Sequence, residues 1–339
     1  MFHTLRNIGP MLEIAHAVEE LCPDAWMLNY TNPEAKLVEG VSRLSRVKAV
    51  GLCHGEQMGM DQLALFLNRP KEEIEADACG LNHFGFFTRI VEKGTGKDLY
   101  PELRERERSA DWLAHWDEYG LSRLMFRTYG LWPYPGANHI GEYIAWSDEM
   151  LASAKLQYFF DPAERDPWQD LRTPDFVYSL SSNPTSRELF PQKANLSDDA
   201  YQQAFTMGEN GLSGSHEYGI PIAEAIYFDI PTHIGAVNMP NTDYVKKLPQ
   251  GMVVEIPALV DGNGIHPKGG FELPTAITSM ISLQGAIHEL VIDAYSECSK
   301  NKLLQAILLD PTVSSYNNAV ALIDEMCVRQ KEILPRLEW

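Results

Sequence analysis

The sequence lacks any run of apolar residues approaching the roughly 18 that a membrane span requires, and it does not open on a basic segment followed by a long apolar stretch. Neither a bilayer-crossing helix nor a secretory leader is expected, and the expected location is the cytoplasm. Positive charge is scarce. Lys and Arg number 28 against 47 Asp and Glu, a formal net charge of −19. A field of that sign repels phosphate backbones and anionic lipid surfaces, which argues against nucleic acid or membrane as a partner. Cysteine is sparse as well: Cys22, Cys53, Cys79, Cys298 and Cys327 form no CxxC pair. That number and spacing argue against a disulfide framework and a structural zinc knot, so any thiol chemistry must rest on a single cysteine. Finally, no strand runs into a Gly-rich turn. The glycine clusters, Gly262 with Gly264 and the pair Gly269-Gly270, fall in loops far downstream of the opening helix. The backbone amides that cradle a pyrophosphate at a helix N-terminus are therefore not expected from these residues.

What is present is a globular pattern. The 339 residues are 45% hydrophobic, enough to bury a sizeable core in one large or two ordinary domains. Apolar positions Leu5, Ile8, Met11, Leu12, Ala15, Val18 and Leu21 recur at helical spacing, with Pro10 as a possible kink and Pro23 as a stop. Residues 25–30 (AWMLNY) read as a short buried strand, 33–44 as a helix and 47–53 (VKAVGLC) as a second strand. Helix, strand, helix, strand is the order of a doubly wound α/β sheet with right-handed crossovers, and ligands of such sheets bind beyond the carboxyl ends of the strands. Asn29, Asn32, Cys53 and His54 fall there. Beyond Gly55 the pattern becomes mixed: a strand near 84–91, a charged helix near 101–116, an aromatic stretch at 129–146, and closing helices at 274–296, 301–309 and 312–333.

Three constellations carry possible chemistry. GLCH (51–54) and GLNHF (80–84) each place soft or borderline ligands after a turn, and a thiolate with an imidazole can hold a divalent transition metal. The competing reading is a small hydrophobic Cys and a hydrogen-bonded core His. NYTNP (29–33) offers amides to sugar or ribose hydroxyls, or a helix cap by Thr31 or Asn32 ahead of Pro33 at the first helical position. PYPGANHIGEY (133–143) clusters Tyr134, His139, Glu142 and Tyr143, as an acid–base site or as an aromatic loop.

Taken in order, LRNIGPMLEIAHAVEELCPDAWMLNYTNP, GLCHG, GLNHF, DLYPELR, HIGEY, NMPNTDYVKKLPQGMVVEIPALVDGNGIHP and LPTAI resemble glycoside hydrolase family 4, from about residue 5 to 335. The form of GLCH and HIGEY is closer to the branch acting on non-phosphorylated α-glycosides (α-galactosidases, α-glucosidases, α-glucuronidases) than to the 6-phospho-glycosidases. The resemblance implies hydrolysis by hydride abstraction onto NAD, elimination, water addition and hydride return, with Mn²⁺ or another divalent metal polarising the sugar oxygens. It implies Cys53 and His83 as metal ligands and His54 as the leaving-group acid. Asn32 and Asn29 become substrate-binding amides, with Asn29 also near the cofactor. His139 is implied as the base, because Ala137 stands where relatives carry an Asp, with Tyr143 as second choice. Asn32, His54 and His139 are then expected to face one cleft. The implied organisation is the C-terminal part of a Rossmann-like NAD-binding domain over 1–55, its start missing, and a lactate/malate-dehydrogenase-like α+β substrate and metal domain over 56–339. A small glycoside partner and a homo-oligomer, dimer or tetramer, follow from the same resemblance. Without a Gly-rich turn the chain is expected to bind NAD weakly and to be prone to aggregation. The competing readings are a 2-hydroxyacid dehydrogenase, which would need an Arg beside a His–Asp pair, and an inactive fragment.

Overall fold

The computed structural model describes residues 1–109, 119–147 and 217–339, and the elements below are numbered among those residues. The chain opens with α1 (Phe2–Leu21), which runs through Pro10 as one helix and buries Leu5, Ile8, Met11, Leu12 and Ala15. Strand β1 (Trp26–Asn29), helix α2 (Glu34–Leu44) and strand β2 (Lys48–Gly51) follow, and β1 and β2 pair in parallel from Trp26↔Lys48 to Asn29↔Gly51. This is the β-α-β unit that the alternation of periods predicts.

The sheet does not stop there. After α3 (Gly55–Leu67) come β3 (Ile74–Leu81), β4 (Phe84–Glu92), α4 (Tyr100–Ser109), α5 (Gly120–Tyr129), β5 (Pro133–Tyr134) and α6 (Ala137–Gly141). Then α7 (Gly219–Phe228), β6 (Thr232–Pro240), β7 (Val253–Asp261) and β8 (Gly264–Pro267) lead into three closing helices, α8 (Thr275–Ser296), α9 (Lys300–Leu309) and α10 (Tyr316–Arg329). Strand order is β1-β2-β6-β7-β3-β4-β5, with β8 on β7, and every pairing beyond β1–β2 is antiparallel. A parallel pair thus feeds directly into an antiparallel sheet.

The main core lies between that sheet and helices α1 and α2, where Leu37, Val38 and Val41 face Val50, Val237, Val254 and Ile256. A second cluster, with Trp132, Tyr134 and Phe87, lies under α3, and a third joins α1 to the closing helices. By length and composition α8 could cross a bilayer, but half of its apolar window is buried, Ile277, Ile281, Ile287 and Ile292 among it. It is used as a core helix. The charged helix expected at 101–116 is present over Tyr100–Ser109, and its remainder lies outside the described residues. The last helix is shorter than its sequence period, Tyr316–Arg329, because Ser315 caps it through the Asn318 amide and residues 330–333 form turns.

Candidate active site

The site forms where the parallel pair ends. Strand β2 terminates at Gly51, the Leu52 amide donates back to Asn29 O at 3.0 Å, and Cys53 emerges at the carboxyl end, with His54 as the N-cap of α3. From the other side, β3 and β4 are joined by a two-residue turn, Asn82–His83, with Leu81 paired to Phe84. His83 takes the left-handed conformation, φ +65, which few non-glycine residues adopt and which aims its ring back across the sheet. Asn82 is anchored: its Nδ2 donates to Glu255 Oε1 at 3.2 Å, and Asn238 Nδ2 donates to the same oxygen at 3.0 Å.

Cys53 and His83 lie close enough for the thiol to act on the imidazole, whose Nδ1 lies 3.8 Å from Glu142 Oε2. Burial alone would drive this imidazole toward its neutral form. The hydrogen bonds and charges of Cys53 and Glu142 outweigh burial and lift its pKa to about 10. The His139 ring stands perpendicular to that of His83, with centroids 4.5 Å apart. Burial, then the positive charge of His83, lowers the pKa of His139, so His139 is the neutral imidazole of the pair. Tyr143 donates its hydroxyl to Asn82 O at 3.3 Å, and burial pushes its phenol far above the ordinary range, which makes a phenolate costly.

Beside these groups lies a cavity of about 260 Å³ whose wall includes Asn32, Glu34, Lys36, Asn82, Glu142 and Tyr143, with His83. His54 and His139 are not part of that wall. His54 instead projects outward, its side chain 62% exposed, with Nδ1 3.6 Å from Glu217 Oε1. His139 packs against His83, which lines the cavity.

Two expectations for NYTNP need correction. No side chain caps α2: the helix begins at Glu34, its N-cap is Pro33 rather than a first helical residue, and neither Thr31 nor Asn32 bonds to its amides. Asn29 is the second case. It is 4% exposed, accepts the Thr31 amide at 3.0 Å and donates to Thr31 O at 3.1 Å. Both ends of its amide bond within the local turn and Asn29 is not on the cavity wall, although the second amide N–H and the second acceptor position of its oxygen are not used by those bonds. Glu34 went unnoticed in the sequence because a Glu in the first turn of a helix ordinarily marks an exposed surface.

A parallel pair opening into an antiparallel sheet, with Cys and His converging at the junction, is the frame of a defined enzyme class, and family models identify it. Residues 78–313 match the family 4 glycosyl hydrolase C-terminal domain and residues 1–69 match the family 4 glycosyl hydrolase model. The chain belongs to glycosyl hydrolase family 4, a family of glycosidases. It is 28% identical to an alpha-glucosidase of Erwinia rhapontici over 100% of this chain and 74% of that protein. It is equally 28% identical to an alpha-galactosidase of Bacillus subtilis (strain 168), over 99% and 72% respectively. The fold is shared with a 6-phospho-alpha-glucosidase from gut microorganisms solved in complex with NAD and Mn²⁺: TM-score 0.71, 23% identity, 99% of this chain and 73% of that one.

Proposed function

We propose that this chain takes part in hydrolysis of the O-glycosidic bond of a non-phosphorylated α-glycoside, with Cys53 and His83 holding a divalent metal such as Mn²⁺ and with NAD as redox cofactor. The observation that carries the reading is the convergence of Cys53 and His83. Thirty positions apart in sequence, they act on each other beside a cavity that His83 lines. A thiolate and an imidazole can hold a divalent transition metal, Mn²⁺ being the ion bound in the related 6-phospho-alpha-glucosidase structure, and two protein ligands leave positions open for substrate oxygens. Bound NAD would supply a hydride acceptor and donor, and the metal a Lewis acid. Asn29, the residue expected near NAD, is buried with one bond from each end of its amide to Thr31.

Asn32, on the cavity wall, is the residue we assign to hydrogen-bonding a sugar hydroxyl. His139 is assigned as proton acceptor, being held neutral, and ranks above Tyr143, whose phenol is held protonated. His54 is assigned to protonate the leaving oxygen; its solvent-facing ring, near Glu217, suits exchange of that proton with water. The preference for an unphosphorylated sugar is supported by the described wall, where Lys36 is the only Lys or Arg among the lining residues and stands with the carboxyls of Glu34 and Glu142. A phosphate calls for clustered Arg or Lys. The change from parallel to antiparallel pairing after Gly51 supports a functional division near residue 55.

The test is turnover of aryl α-glucoside, α-galactoside and their 6-phospho forms by the purified chain, each with and without NAD and Mn²⁺. Any cleavage is expected to be of unphosphorylated substrates only, to depend on both additions, and to require NAD in large excess because weak NAD binding is expected of this chain. Turnover confined to 6-phospho substrates would reject the specificity, and turnover without NAD would reject the redox route. Calorimetric titration with NAD separates a chain that fails to bind the cofactor from one that fails in chemistry.

A further inference from the structure

Glu34 is, with His288, one of two buried cavity-wall side chains whose polar atoms both lack a hydrogen-bond partner. It is 2% exposed, and neither carboxyl oxygen has a hydrogen-bond partner. An isolated buried carboxyl is costly, by roughly 1–3 kcal/mol even for a neutral polar group left unpaired and by more for a charge. Its position is specific. A Cβ on Gly51 would fall on Glu34 Oε1, so the carboxyl sits against the bare end of β2 and a side chain there would displace it. Two residues beyond Gly51 the chain reaches Cys53. Besides burial, the charges of Glu255, Cys53 and His83 act on the Glu34 carboxyl, and it borders the same cavity as His83. Among the described residues no three His, Cys, Asp or Glu side chains converge as a ligand set, so Glu34 stands behind the pair rather than beside it as a third ligand.

We propose that Glu34 is a positioning residue for the metal site, a buried outer carboxyl that compensates the charge of a divalent ion held by Cys53 and His83 and fixes the orientation of those two side chains. The inference rests on the metal reading above. Groups behind metal ligands commonly set affinity in this way, and losing one typically costs 10–100-fold in binding. A carboxyl with a purely structural role would be hydrogen-bonded within the fold. This one is not, so the protein carries a locally unfavourable group whose partner arrives with the ion.

That logic predicts opposite signs for stability and binding. In Mn²⁺ titrations followed by electron paramagnetic resonance, Glu34→Gln should bind about 10–100-fold more weakly than the unaltered chain. The same variant in EDTA should melt at the same temperature or higher, because a buried carboxyl has been replaced by a neutral amide of equal size. Glu34→Asp, which keeps the charge, should retain most of the affinity. Equal Mn²⁺ affinity in the unaltered and Gln chains overturns the role of Glu34, as does a Gln variant that no longer folds. An unaltered chain that binds no Mn²⁺ overturns the metal reading itself, a distinct result.

Discussion

His83 illustrates how a single residue brings two distant motifs together. Its positive φ turns the ring away from the course of β4 and onto Cys53, while the Asn82 bonds to Glu255 keep the turn from relaxing. The convergence predicts that Cys53→Ser abolishes Mn²⁺ binding, since an alcohol is a far poorer ligand than a thiolate. Cys79→Ala should leave Mn²⁺ binding unchanged, because that thiol is fully buried in β3 and burial pushes its pKa well up. Titration of the two variants by electron paramagnetic resonance decides both. Glu39 gives a pH prediction. Burial raises its carboxyl to about 7 from 4.5, against a bond from the Val253 amide, and His288 Nδ1 lies 3.5 Å away, held neutral by its own burial. A raised carboxyl pKa means the folded state holds the proton more tightly. Its stabilisation is therefore full below about 4.5 and is lost as pH rises through about 7. Glu39→Gln should remove that loss, gaining on the order of 2 kcal/mol relative to the unaltered chain between pH 4.5 and 8. Urea unfolding at the two pH values measures it, and a pH-independent difference would refute it.

At the scale of elements, close approaches fix how β4, β5 and α4 support the site. A Cβ on Gly85 would fall within the ring of Tyr134, which is fully buried and packs against Phe87 at 4.7 Å. Gly85→Ala should therefore cost about 1–3 kcal/mol by forcing β5 away from β4, and thermal melting is the readout. Helices α4 and α5 are joined by a buried ion pair. Glu107 Oε1 accepts from Arg123 Nε at 3.0 Å and lies 2.8 Å from Arg127 Nη2, with Glu107 and Arg123 1% and 0% exposed. Glu107→Ala removes the carboxylate that pairs with buried Arg123 and with Arg127, and a loss of about 3–5 kcal/mol in urea unfolding is expected. A loss below 1 kcal/mol would mean that water reaches Arg123.

At the scale of the whole molecule, a net charge of −19 sets the behaviour in solution. Like-charge repulsion opposes compaction and is screened as the Debye length falls from about 10 Å at 0.1 M salt to about 3 Å at 1 M. The melting temperature should rise with NaCl over that range, and scanning calorimetry would show a flat or falling trend if local ion pairs outweigh the net repulsion. Much of the architecture was legible in the sequence wherever the pattern is local. The opening β-α-β unit and α8 declare themselves through period and through their stops, because helix and strand repeats act over a few residues. GLCH and GLNHF were legible as a possible ligand pair for the same reason, and the order of the motif blocks pointed to the family. Tertiary structure alone decided the rest. The antiparallel order β6-β7-β3-β4 joins Gly80 of β3 to Glu255 of β7, 175 residues apart, a pairing that no local period encodes. Whether a polar side chain is spent or free is likewise settled only by its neighbours in space. Asn29 looked available and is bonded at both ends of its amide within its own turn, whereas Glu34 looked like a surface residue and is buried without a partner. Composition and period fix what each segment can form, but burial and the satisfaction of polar groups belong to the assembled sheet.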